Sequence, residues 1–400
     1  MGLASLLDVR SGDAAPSEVD LGDGGGLAIS SEIVSHVEYS PTRNVLLFVL
    51  DAMPATVACD IVRDDPALAA KFPGFVAYRE NVCMHDCTKY GVPALMTGRY
   101  YEDGGSVPEY MMSVLSTNSL LQAYRDHGDA IYCILDVLSY GYTTARTAKT
   151  VRQPQGGWSP AVLVPANEVP FMCLMDVSIY RAMPFALKEG LLFQKLHSRK
   201  ALGNACKSFV HEHVMYPTLA SRPVSADPRQ MFGKFHSFGS HMPYMFDCEG
   251  NPVPNGTKDS EALYLAVSNS LVKLGRLMDV YREKGIYDRS FIVVTTDHGS
   301  PLAPHREGAH PRAFANMWVK SDGASGPLTF SDLPTSQDKV APLMCRACMG
   351  PMTRQEIDDT LRTSDRLFRY INRKGGDVCL DWVFHEDGTF DSPKGEYATE

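Results

Sequence analysis

Two apolar patterns alternate along the chain. Unbroken runs bounded by polar residues occur at Asn44–Leu50 (NVLLFVL) and Phe291–Thr296 (FIVVTT). Short runs with no polar face predict strands buried on both sides, as in a mostly parallel sheet. Phe75–Tyr78, Ala130–Val137, Phe232–Phe238 and Ala313–Val319 predict further strands. The second pattern steps by three and four. Leu263, Val267, Leu271, Leu274, Met278 and Tyr281 mark one face of a helix over Glu261–Lys284, with Asp259 or Ser260 to cap it and Gly285 to end it. That helix feeds straight into the Phe291 run, as in alternating α/β folds. Val92, Leu95 and Met96 share the apolar face of a helix capped by Thr88 and stopped at Gly98. Ser113–His127 reads as helix, Ser331–Met349 as loop and helix, and Val378–Phe384 with Glu386-Asp387-Gly388 as a terminal hairpin.

Other stretches are less regular. The first 42 residues are polar, with a glycine triplet at Gly24–Gly26, and read as a loose lead-in. Thr143–Pro170 lacks periodicity and reads as a long surface excursion. Met172–Lys188 reads as a strand or turn entering a helix, and Glu189–Val210 as weakly helical. The resulting division is a linker over 1–42, an α/β domain over 43–350 with a mostly parallel sheet between helices, and a C-terminal part of the same domain over 351–400.

Charge and cysteine content narrow the partners. The net charge is -9 and no basic block offsets it, which argues against a nucleic-acid binder. An anionic substrate stays open, because local cations or metal ions can dominate one pocket. The ten cysteines include Cys83/Cys87 and Cys345-x-x-Cys348, and the latter has no second C-x-x-C to complete a zinc ribbon. Disulfides in an oxidising compartment are the expectation, with buried free thiols as the alternative. No apolar run reaches membrane-spanning length, and Met1 is not followed by the charged-then-apolar pattern of an export signal. The chain is then either cytosolic or carried its export elements upstream of Met1.

Candidate chemistry collects where the apolar runs stop. The Asn44 run ends at Asp51, and the Phe291 run at Asp297-His298-Gly299, followed by His305 and His310. His236 and His241 flank the end of the Phe232 strand, and Thr88 opens a helix, where backbone N–H groups and the dipole favour an anion. Asp and neutral His are zinc-type ligands. Each residue alone has a bland reading: a cap, a solvated turn or a hydrogen-bonded histidine. Strand ends in open α/β sheets are where sites assemble, so the full set points to one centre.

At these residues the chain resembles the alkaline phosphatase superfamily, and within it the sulfatase-like phosphotransferases: phosphoethanolamine and phosphoglycerol transferases, lipoteichoic acid synthases and true sulfatases. NVLLFVLDAM resembles the family's first strand and its metal-binding acid at Asp51, and NVCMHDCTKYGVPALMTGRYY the nucleophile segment, with Thr88 as the catalytic threonine. HSFGSHMPY is similar to the H-x-x-G-x-H-x-P segment, at His236 and His241, and VVTTDHGS to the metal-binding signature, at Asp297 and His298. His310 has the spacing of the following histidine, and SDLPTSQDKVAPLMCRACMG resembles the segment that closes the domain. The likeness runs over roughly 44–350 and implies an alkaline-phosphatase-like three-layer sandwich. The C-x-P-x-R of true sulfatases, whose cysteine or serine becomes formylglycine, is absent around Cys83 and Cys87. The N-terminal membrane domain of the lipid-modifying relatives is also absent, and the polar first 42 residues suit a linker that followed it.

The resemblance implies one or two Zn²⁺ ions, with Mn²⁺ as an alternative, held by Asp51, Asp297, His298 and the Thr88 oxygen, with His241 and His310 at a second metal or the phosphate oxygens. His236 would protonate a leaving group or hold the acceptor, and Lys89 would contact phosphate. Cys87 and Ser240 are rival nucleophiles; His85 and His305 read as ordinary loop histidines, and Asn255-Gly256-Thr257 as a turn. The expected reaction moves a phosphoethanolamine- or phosphoglycerol-type group from a phospholipid or other phosphodiester donor, through phosphothreonine, to an envelope glycan or lipid. Water as acceptor gives the hydrolase alternative (phosphodiesterase, phosphonate hydrolase or sulfatase), and a non-catalytic binding domain is the rival of another class. The expected location is extracytoplasmic, periplasmic or on the outer face of the inner membrane, anchored through a removed N-terminal segment.

Overall fold

The computed structural model describes residues 37–115, 119–133, 215–242, 244–246, 252–257, 259–372 and 378–393. Most of the lead-in, the Thr143–Pro170 excursion and the segments Met172–Lys188 and Glu189–Val210 lie outside them.

The strands are β1 (Asn44–Leu50), β2 (Phe75–Tyr78), β3 (Asn81–Val82), β4 (Ala130–Cys133), β5 (Met231–Ser237), β6 (Tyr244–Phe246), β7 (Pro252–Thr257), β8 (Ser290–Thr295), β9 (Met317–Lys320), β10 (Thr329–Ser331), β11 (Thr335–Ser336), β12 (Arg366–Asn372), β13 (Val378–Phe384) and β14 (Phe390–Asp391). The principal helices are α1 (Ala55–Asp64), α2 (Thr88–Thr97), α3 (Leu120–His127), α4 (Ser260–Glu283), α5 (Val340–Cys348) and α6 (Arg354–Leu361). A seven-stranded sheet in the order β10-β2-β9-β8-β1-β5-β4 forms the centre, and every neighbouring pair is parallel except the two made by β9.

The apolar runs are buried strands because both sheet faces are covered. Leu46, Phe48 and Leu50 of β1 and Ile292 and Val294 of β8 pack with α1 and α4 on one side. Val45, Leu47 and Val49, with Phe291 and Val293, pack against α2, α3, α5 and α6 on the other. This is the expected α/β sandwich. Asp259 caps α4 by accepting from Ala262 N at 2.8 Å. No helix among the described residues is long and apolar enough to cross a membrane. A second, antiparallel sheet, β12-β13-β14, carries its own core of Phe368, Trp382 and Phe384 against Val82, Cys83 and Phe314.

Several sequence expectations change. Asn255-Gly256-Thr257, read as a turn, lies in β7. The strand predicted over Ala313–Val319 is only Met317–Lys320. The preceding amides bond elsewhere, Ala315 N to Asn81 O and Asn316 N to Met53 O. Thr88 does not cap α2: Cys87 holds the N-cap position, and no side chain caps the helix. Disulfide pairing fails for Cys59, Cys83, Cys345, Cys348 and Cys379, which are free thiols. Cys83 instead donates to Arg312 O at 2.9 Å and Cys348 to Asp129 Oδ2 at 3.5 Å.

Candidate active site

Parallel strands end on one edge, and three of them end together. β1 pairs with both β5 and β8, so Val49 lies level with His236 on one side and Thr295 on the other. Asp51 follows β1, with its N–H on Ser237 O at 2.8 Å, and Asp297 and His298 follow β8. The turn after Asp51 is tight: Ala52 has φ 59°, unusual for a residue with a Cβ. Its N–H donates to Asp297 Oδ1 at 3.3 Å, which ties two strand ends together.

α2 brings in the nucleophile candidate. It approaches so closely that a Cβ at Gly91 would lie 2.3 Å from Asp297 O. Thr88 Oγ1 consequently lies 3.4 Å from Asp51 Oδ2 and 3.5 Å from His298 Nε2. Gln337 clamps the same junction: its Oε1 accepts from Met84 N at 3.2 Å and its amide donates to Thr296 O.

The imidazoles are oriented through their far nitrogens. His298 Nδ1 contacts Gly299 O at 2.8 Å and His241 Nδ1 contacts Met242 O at 2.5 Å. A carbonyl only accepts, so each Nδ1 carries a proton and each Nε2 is turned to the carboxylates. His298 Nε2 lies 3.4 Å from Asp51 Oδ1 and 3.6 Å from Asp297 Oδ2. His241 Nε2 is 3.9 Å from Asp51 Oδ1, and His236 Nε2 is 3.7 Å from Asp51 Oδ2. Asp51, Asp297 and His236 are fully buried, whereas the His241 side chain is 39 % exposed at the mouth.

These residues fit a bound metal ion. The donors are carboxylate oxygen, imidazole nitrogen and hydroxyl oxygen, a zinc-type set. Ligands at 2.0–2.1 Å around a tetrahedral ion stand about 3.3 Å apart, close to the 3.4–3.6 Å that separate Thr88 Oγ1 from Asp51 Oδ2 and His298 Nε2, and His298 Nε2 from Asp51 Oδ1 and Asp297 Oδ2. Those gaps are long for hydrogen bonds, and Asp297 Oδ2, fully buried, has no hydrogen-bond partner. Asp51, His241 and His298 form one group of potential ligands and Asp51, His236 and Asp297 another. Electrostatics agree. Burial pushes the Asp297 carboxyl upward, but the imidazoles of His298 and His236 and the Thr88 hydroxyl outweigh it and hold the carboxyl well below the usual range. Loss of hydration, then the charge of His298, lowers His241 to about 4, although part of its ring is open to solvent.

The remaining candidates sit elsewhere. His310 packs 4.8 Å from the Phe368 ring and 5.1 Å from Tyr370, with Nδ1 accepting from Arg312 N at 3.2 Å. It belongs to neither group of potential ligands. Lys89 lies over the Tyr90 ring at 5.1 Å. Ser240 donates to Asp51 O at 2.7 Å and supports that loop. His85 is buried among Tyr90, Tyr100 and Tyr110, accepting from Tyr101 N at 3.1 Å. His305 Nδ1 contacts Ala303 O at 3.0 Å. Sequence reasoning missed Arg312, which donates to Asp86 O at 2.6 Å and lowers both His241 and His310 by its charge. The only signal was a cation two residues beyond His310.

No protein-family model matches the chain, and no curated protein matches it in sequence. Solved structures do. The PsFucS1 sulfatase from Pseudoalteromonas sp. superposes with a TM-score of 0.53 at 11% identity, over 89% of this chain and 81% of its own. The phosphonate monoester hydrolase SpPMH from Silicibacter pomeroyi gives 0.51 at 14% identity, over 86% and 89%. The chain shares the fold of these two enzymes. Ps i-CgsB, solved with k-i-k-neocarrahexaose, shares that fold at a TM-score of 0.51 and 12% identity, over 86% and 82%. In this fold the cluster occupies the carboxyl edge of the parallel strands, where open α/β sheets bind ligands.

Proposed function

We propose that this chain is a metal-dependent enzyme that breaks a phosphodiester through covalent attack by Thr88. The observation that carries the reading is the meeting of the Thr88 hydroxyl, two buried carboxylates and the Nε2 of His298 at 3.4–3.6 Å. A divalent cation held by Asp51, Asp297 and His298 would lower the pKa of the Thr88 hydroxyl and offset phosphoryl charge.

The side chains supply the rest. Thr88 Oγ1 gives its proton to Asp51 Oδ2, 3.4 Å away, and attacks phosphorus, and the O–P bond to the first alcohol breaks. The departing oxygen takes its proton from water at the mouth, where the unprotonated Nε2 of His241 is placed as a base and Arg312 adds positive charge nearby. In the second half an acceptor oxygen gives its proton to His241 Nε2, which passes it to solvent, and attacks the phosphothreonine; the bond from phosphorus to Thr88 Oγ1 breaks, and Asp51 Oδ2 hands its proton back to Oγ1. Sulfate-ester cleavage through formylglycine is disfavoured, since threonine cannot become that aldehyde.

The acceptor divides two readings. Transfer of a phosphoethanolamine- or phosphoglycerol-type group from a lipid to an envelope glycan or lipid fits the sequence resemblance, and with it an extracytoplasmic location. Hydrolysis fits the phosphonate hydrolase and sulfatase neighbours, and we favour it for the described domain because His241 leaves the mouth open to water. A p-nitrophenyl phosphodiester with Zn²⁺ or Mn²⁺ should be cleaved. Thr88→Ala should lower the rate at least about a thousandfold while retaining the metal. Full turnover by Thr88→Ala would reject the mechanism. Products analysed with added glycerol or ethanolamine separate the readings: phosphorylated acceptor supports the transferase, and free phosphomonoester alone the hydrolase.

A further inference from the structure

A second group of metal-type side chains lies at the opposite edge of the sheet. α3 ends at His127, Gly128 turns the chain with φ 87°, and Asp129 enters β4. Cys348 closes α5 and comes to the same place. His127 Nδ1 is 2.7 Å from Asp129 Oδ1, and Cys348 Sγ is 3.5 Å from Asp129 Oδ2. Each of the three offers a ligand atom within 4.8 Å of the others. The Gln230 amide fixes the carboxylate from behind, Nε2 to Oδ2 at 2.8 Å.

We infer that His127, Asp129 and Cys348 form a structural site for a thiophilic divalent cation of the zinc type, separate from the cluster around Asp51. A thiolate, an imidazole and a carboxylate are three such ligands, leaving the fourth position to water, since the His127 side chain is 39 % exposed. The Asp129 side chain is only 2 % exposed, so its charge is held in a setting where a counter-charge counts strongly. Two helices, α3 and α5, end here, and helix C-termini favour positive charge. On binding, Cys348 releases its proton to solvent and Sγ bonds to the cation. The ion then clips the ends of α3 and α5 to the start of β4. This inference is independent of the proposed activity, because the site lies at the amino end of β4, away from the carboxyl edge.

Cobalt(II) titration of the full chain tests it, because sulfur ligation gives a thiolate-to-cobalt charge-transfer band that oxygen and nitrogen ligands do not. Wild type should show the band, and it should disappear in Cys348→Ser, a near-isosteric change. His127→Ala, at an exposed helix end, should weaken Co²⁺ binding at this site at least tenfold and lower bound Zn²⁺ by one equivalent while leaving phosphodiesterase activity unchanged. No band in wild type, or a band that survives Cys348→Ser, would overturn the assignment. So would an unchanged Zn²⁺ count in a folded His127→Ala protein.

Discussion

At the scale of single residues the site depends on what is small as much as on what is reactive. Gly91 lies inside α2, where a glycine costs helix stability. Its compensation is contact: a Cβ there would sit 2.3 Å from Asp297 O. A backbone carbonyl cannot rotate aside as a side chain can, so α2 would have to move away and take Thr88 with it. Gly91→Ala should therefore lose about 1–3 kcal/mol of stability and most of the turnover, read from a urea midpoint and from phosphodiester cleavage. Unchanged turnover would show that the close approach does not set the position of Thr88. Asp51, Asp297 and His298 were legible in sequence because each follows an apolar run whose end fixes its place on the sheet edge. Arg312 and Gln337 were not, because they act across 226 and 253 residues, on Asp86 and Met84 respectively. No local pattern encodes contacts that distant.

At the scale of elements the strands buried on both faces were the most legible, since a continuous apolar run has few other uses. β9 was harder. Its apolar stretch begins early, but the Ala315 amide leaves the ladder for Asn81 O in β3 and the Asn316 amide for Met53 O in the loop after Asp51. Nor does the sequence show that Lys320, at the end of β9, is completely buried. Its ammonium donates to Tyr287 O at 2.9 Å, Ser290 O at 3.2 Å and Ser321 O at 3.1 Å. Burial lowers it from 10.5 to about 8, against smaller opposite effects of Asp288 and Asp322. Between pH 8 and 10.5 the unfolded chain holds the proton more tightly, so unfolding takes protons up and this residue's contribution to stability rises with pH. The cost of charging it is fully present below about pH 8, and its removal amounts to about 3 kcal/mol. Relative to Lys320→Met, which cannot titrate, wild type should gain stability across that window. A difference between the two that stays constant from pH 8 to 10 would show that the lysine is not so depressed.

At the scale of the whole molecule, three parallel strands and one helix converge two carboxylates and three imidazoles in a buried place, against the general rule that a folded chain disperses like charges. Burial works against these charges, the imidazoles work for them, and a bound cation adds to the imidazoles; this leads to a test of whether, without a cation, a damaged site is the more stable one. Asp297→Asn keeps the oxygen that accepts from Ala52 N, Thr296 Oγ1 and His298 N, but replaces the charged, partnerless Oδ2 with a neutral amide. The comparison belongs in a His127→Ala background, so that the carboxyl-edge cluster alone responds to chelation. At pH 8 a chelator should lower the Tm of the parent and leave that of Asp297→Asn almost unchanged. The chelated parent should then melt at or below the variant, although the variant turns over no substrate. If Asp297→Asn instead melts below the chelated parent, the carboxylate contributes to the fold without a cation, and the buried charges are held by the imidazoles alone.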